Sequence, residues 1–142
     1  MPRDRRSPTL PWLAALALAV LCAPACKSGE ECDRARLANA SAWEKVKGEA
    51  GRLKFQGVAG YEEMTASQKA AHVEAFRAVE EQAGLVFESF AFQKISWTTG
   101  SKARDRAVQE FNTYFDKDKY SGFKAVLDAA QKRFNEAEAA CR

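Results

Sequence analysis

Histidine is nearly missing from this 142-residue chain, with His72 the only one. A di-iron bundle needs two Glu-x-x-His pairs, and the residue three before His72 is Lys69, so that chemistry is excluded on ligand count. Covalent haem attachment lacks its Cys-x-x-Cys-His run, and no serine sits in the elbow motif that a Ser-His-Asp triad uses. The nearest approach to a calcium loop is Asp116-Lys117-Asp118-Lys119-Tyr120-Ser121-Gly122. Its glycine falls one position late and Leu127 stands where the closing glutamate belongs, so it reads as a turn before a helix. Excess charge is scarce too. The 22 Lys and Arg against 19 Asp and Glu leave +3, and Arg3, Arg5 and Arg6 against Asp4 supply +2 of it. A body near neutrality excludes a general nucleic-acid binder, which needs surplus cations on one face. Lys102, Arg104 and Arg106 are interleaved with Asp105, as on a solvated helix face. No internal repeat or low-complexity stretch is present. These absences predict a protein without catalytic residues, metal or cofactor.

Long apolar stretches are confined to one place. A basic opening, residues 1–6, precedes an uncharged run over residues 10–25, which is a signal-peptide layout. The run contains Pro11 and Pro24 and stops at Lys27, too short and interrupted for the roughly 20 apolar residues of a mature span. Its end, Ala23-Pro24-Ala25-Cys26, resembles the lipobox of bacterial lipoproteins. That resemblance implies cleavage before Cys26, a diacylglyceryl thioether on its sulfur, and acylation of the new amine by a fatty acid such as palmitate. Lys27 in place of an aspartate after the cysteine leans toward the outer membrane over the inner one. Ala23 and Ala25 also suit ordinary signal peptidase, which would leave a secreted or periplasmic soluble protein. Cysteine parity bears on the choice. Without residues 1–25 the chain keeps Cys26, Cys32 and Cys141, an odd number in an oxidising compartment. Lipid on Cys26 removes the odd one and frees Cys32 and Cys141 to pair.

Residues 26–142 read as one helical domain. Ser28-Gly29-Glu30-Glu31 has capping-box spacing, and Ala35, Asn39, Trp43, Val46, Ala50 and Leu53 then recur at threes and fours to about Lys54. Two glycines within residues 55–61 break the period. Thr65-Ala66-Ser67-Gln68 is a second capping box, opening a helix with Val73, Phe76, Val79, Ala83, Val86, Phe87 and Phe90 on one face. Residues 90–97 alternate well enough for a short extended piece. Thr98-Thr99-Gly100-Ser101 punctuates the chain before a third helix carrying Ala103, Ala107, Phe111 and Phe115. Ser121 caps a fourth, whose Phe123, Leu127, Ala130, Phe134, Ala137 and Cys141 form the cleanest stripe. The expected fold is all-α, an antiparallel four-helix bundle or two packed helical hairpins.

In an up-down-up-down bundle the start of the first helix and the end of the last share one end, so Cys32 and Cys141 are expected to form a disulfide. Phe92, Ile95 and Trp97, at the end of the second helix, find no place on its stripe and are expected to form the apolar part of a binding surface. His72 is expected on a polar face or boundary. The function expected is a lipid-anchored helical protein of the cell envelope, held in the membrane through Cys26 and binding an envelope protein without catalysis. The alternative is a carrier holding a small apolar ligand between the aromatic faces of helices two and three.

Overall fold

The computed structural model describes residues 29–55, 58–92 and 96–142. It is an antiparallel bundle of α1 (Gly29–Leu53), α2 (Ala66–Ala91), α3 (Trp97–Tyr114) and α4 (Ser121–Cys141), with no strand among the described residues. None of these helices is long and apolar enough to cross a membrane. Local chemistry accounts for several boundaries. Glu30 and Glu31 in the first turn of α1 and Arg52 in its last complement the helix dipole. At α2 the Thr65 hydroxyl accepts from the Gln68 amide at 3.2 Å, while the Gln68 side chain accepts from the Thr65 amide at 2.9 Å, a complete capping box. Before α4 the Asp116 carboxylate accepts from the Asp118 and Lys119 amides at 2.8 and 3.3 Å and shapes the turn. Ser121 is therefore not the cap. It is the first helical residue, Tyr120 holds the cap position, and no side chain there bonds the first turn.

α1 packs along both α2 and α4, and α2 packs along α3. The backbones of α3 and α4 hardly approach one another, so the fourth edge of the bundle is closed by large side chains. Phe111 meets Phe123 with ring centroids 5.5 Å apart, Trp97 meets Phe134 at 5.9 Å, and the Arg104 guanidinium lies 4.4 Å above the Phe134 ring. Rings also fill the interior, where Phe76 touches Phe115 and Phe123, and Phe90 touches Phe134. Trp43, Phe76, Phe90, Phe111 and Phe134 are fully buried, each contributing roughly 1.5–3 kcal/mol or more of apolar transfer free energy. Phe55 and Phe92 stand outside this core and are exposed.

One expected break is absent. Thr98, Thr99, Gly100 and Ser101 belong to α3, which begins at Trp97. Gly100 is buried because α2 and α3 cross there: a Cβ on it would stand 2.7 Å from Cε2 of Phe90. Its lack of a side chain serves close helix approach, and the chain does not turn at it.

Candidate functional site

The two ends of the bundle carry different chemistry. At one end the predicted disulfide is present, with the Cα atoms of Cys32 and Cys141 4.8 Å apart across a sequence separation of 109. Arg36 of α1 donates through Nη1 to the Phe90 carbonyl of α2 at 2.6 Å, satisfying an acceptor in the last turn of that helix. Phe92 follows as the C-cap of α2 and is 70% exposed. Trp97 is not at the end of the second helix, as its sequence position suggested, but is the first residue of α3. It is half-buried, set edge-on to Phe90 at 5.2 Å, and the Arg142 guanidinium lies 5.4 Å above its ring. A cleft of about 290 Å³ opens there between α3 and α4, lined by Trp97, Lys102, Phe134, Glu138 and Arg142 among others. Phe92 and Trp97 thus sit at the disulfide end, on either side of the α2–α3 connection. Ile95 and Cys26 lie outside the described residues, as does Ser28 of the first capping box.

The opposite end is built around His72, which is buried and not on a polar boundary. Its Nε2 lies 2.8 Å from the Leu53 carbonyl at the end of α1. A carbonyl only accepts, so Nε2 carries the proton; in the tautomer protonated there alone, Nδ1 is an acceptor for the Tyr120 hydroxyl, 3.3 Å away. Burial, and secondarily the Asp116 carboxylate, raises the Tyr120 phenol above its ordinary pKa, keeping the hydroxyl available as donor. Tyr61 and Phe76 pack against the imidazole at centroid distances of 5.3 and 4.8 Å. Outside this pair is a cleft of about 400 Å³ with Glu63, Gln68, Tyr114 and Lys119 on its walls, and Lys119 and Tyr120 separate it from a second cleft of about 300 Å³ beside Arg52 and Val58. Exposed Tyr114 and Phe55, at 63% and 59%, belong to the same end.

His72 has both ring nitrogens engaged within the protein, so the geometry suits fixing the end of α1 better than moving a proton to a substrate. The pairing with Tyr120 spans 48 residues and has no local pattern, which is why spacing could not reveal it. Asn39, which its spacing placed on the inward stripe of α1, is wholly buried there, and neither polar atom of its amide meets a hydrogen-bond partner, nor does the Trp43 indole nitrogen. Among the described residues no group of three or more His, Cys, Asp or Glu is placed to hold a metal ion. Comparison of the chain with known protein families, curated proteins and solved structures finds no match.

Proposed function

We propose that this chain is a lipid-anchored helical module of the bacterial cell envelope that binds an envelope protein and catalyses nothing. The observation that carries the reading is the disulfide. It uses Cys32 and Cys141 and leaves Cys26, at the end of the apolar run, as the one cysteine of the exported chain without a thiol partner. A structural disulfide also suits the oxidising environment to which the signal-like N-terminus would deliver the chain. With the lipid at the disulfide end, the His72–Tyr120 end points away from the membrane. Its two clefts and the exposed Tyr114 and Phe55 are then the natural surface for a partner. The apolar-carrier reading is less well supported, because the aromatic faces that would have to enclose a ligand are in contact with one another, Phe76 with Phe115 and Phe90 with Trp97.

Intact-mass analysis of the membrane-extracted protein tests the anchor: the chain should start at Cys26 and carry acyl mass, and Cys26→Ser should release it from the membrane. A photo-crosslinker in place of Tyr114 should then capture one dominant envelope protein in intact membranes. An unmodified Cys26 in a freely soluble product overturns the anchor, and a bound small molecule in native mass spectra favours the carrier.

A further inference from the structure

We infer that the disulfide end of the bundle is a second membrane contact, with Phe92 and the exposed edge of Trp97 seated at the headgroup level of the bilayer. The inference rests on the lipid anchor at Cys26 proposed above and adds an occupant for the apolar surface. Cys26 precedes Gly29, the first residue of α1, by three residues, which reach at most about 11 Å even when fully extended. A thioether lipid in the acyl layer therefore holds the start of α1 at the membrane surface. Whatever else lies at that end of the bundle is held there with it. The antiparallel pairing fixes what that is: Arg36 reaches the Phe90 carbonyl, so Phe92 projects beside the start of α1, and Arg142 covers Trp97 beside the end of α4.

The chemistry of this end fits a bilayer interface. Phe92 is 70% exposed with no polar atom in its side chain, and Trp97 joins an apolar ring to an N–H, the combination favoured where hydrocarbon meets water. Charge there is nearly balanced. Arg34 lies 3.6 Å from Glu30, Arg36 lies 3.7 Å from Asp33, and Arg142 lies 2.5 Å from Glu138. Seating should accordingly depend on apolar insertion rather than on anionic lipid, and should change little with salt. The lipid anchor plus one apolar contact also orients the bundle, so that the His72–Tyr120 end faces away from the membrane.

The test uses the full lipidated protein reconstituted in phosphatidylcholine vesicles, without and with a fraction of lipid brominated near the headgroup. Trp43 and Trp97 are the tryptophans beyond residue 25, so Trp43→Phe isolates Trp97 as the reporter. Because Trp43 is wholly buried and its replacement could disturb folding, the difference between the parent protein and Trp97→Phe gives the same signal independently. Brominated lipid should quench Trp97, aqueous acrylamide should not, and Phe92→Ser should lower the docked-to-undocked ratio roughly tenfold or more. Vesicle-bound protein whose Trp97 is quenched only from the water overturns the inference and leaves the anchor standing. Shielding from both quenchers, with copies cross-linking through a photo-crosslinker at position 92, also overturns it, since a second copy would then cover the face. Protein lacking acyl mass and failing to float with the vesicles refutes the anchor reading itself and this inference with it.

Discussion

Gly100→Ala sets helix propensity against packing at one position, and the structure decides which wins. Gly100 makes the first regular hydrogen bond of α3, its amide donating to the Ser96 carbonyl at 2.9 Å. Alanine in a helix is favoured over glycine by up to about 1 kcal/mol, less in a first turn. The added Cβ, however, would stand 2.7 Å from Cε2 and 3.5 Å from Cζ of Phe90, and 3.5 Å from Cβ of Ser89. Carbon atoms rest at roughly 3.5–4 Å, so the closest contact is too short by about 1 Å. The Phe90 ring has nowhere to retreat, being wholly buried and held by Trp97 and Phe134 at 5.2 and 5.4 Å. α3 must move off α2, or Phe90 must leave its rotamer, at an overpacking cost of about 1–3 kcal/mol. The net expectation is a loss of about 1–2 kcal/mol, or roughly 4–8 °C in Tm for a domain of this size. Gly48→Ala is the control: nothing lies within 4 Å of its added Cβ, so it should gain about 0.5–1 kcal/mol. Urea denaturation followed by circular dichroism, with the disulfide intact in all three proteins, reads both. A Gly100→Ala protein as stable as its parent would refute the close approach of α2 and α3.

Four further expectations follow from the same structure. Replacing Cys32 and Cys141 together by alanine reopens a loop of 109 residue steps and should cost up to about 4–5 kcal/mol in urea denaturation; free thiols at both positions in non-reducing peptide mapping would refute the bond. Tyr120 has a folded-state pKa above its unfolded one, so its neutral phenol contributes stability that is complete below about pH 10 and is lost as pH rises through the folded value. An ultraviolet titration should show a late tyrosinate phase that Tyr120→Phe removes. Asn39→Leu removes a wholly buried amide without a partner at similar volume and should be neutral or stabilising by about 1 kcal/mol, whereas a clear loss would show that the amide is hydrogen-bonded in solution. Hydrogen exchange should find α3 opening at lower free energy than α1, since α3 packs closely along α2 alone; equal protection would mean that the ring contacts across the α3–α4 edge hold it as firmly.

Periodicity made the bundle legible because each helix buries one stripe. Every predicted stripe residue of α4 from Phe123 to Ala137 is buried, and the Thr65–Gln68 cap forms as its spacing implied. The disulfide was legible for a topological reason: in an even-numbered antiparallel bundle the two ends of the helical domain meet, and Cys32 and Cys141 stood at those ends. Tertiary context defeated the local rules elsewhere. Gly100 reads as a break until the Phe90 ring beside it is known. His72 reads as polar surface until the end of α1 is placed against it, since its partners Leu53 and Tyr120 are 19 and 48 residues away. Trp97 has no stripe to join in α2 because it starts the next helix, where its neighbours come from α2 and α4.

The pairing of α1 with α2 is locked at both ends by reciprocal bonds. Arg36 of α1 donates to the Phe90 carbonyl in the last turn of α2, and His72 of α2 donates to the Leu53 carbonyl in the last turn of α1. Between them Lys54 bonds Glu80 at 2.6 Å, with both side chains largely shielded from water. Terminal carbonyls left bare in a buried setting would each cost on the order of 1–3 kcal/mol, so these donors penalise any slip of one helix along the other by a turn. α4 is fixed to α1 by the disulfide, which leaves α3 as the one helix held along its second edge only by ring contacts and the Arg104 guanidinium on Phe134. Rigidity is therefore greatest along α1, which joins the disulfide end, with Phe92 and Trp97, to the clefts around Tyr120 at the other end. Force applied at the His72–Tyr120 end would pass through α1 to the disulfide end, and α3 could yield without loosening that connection.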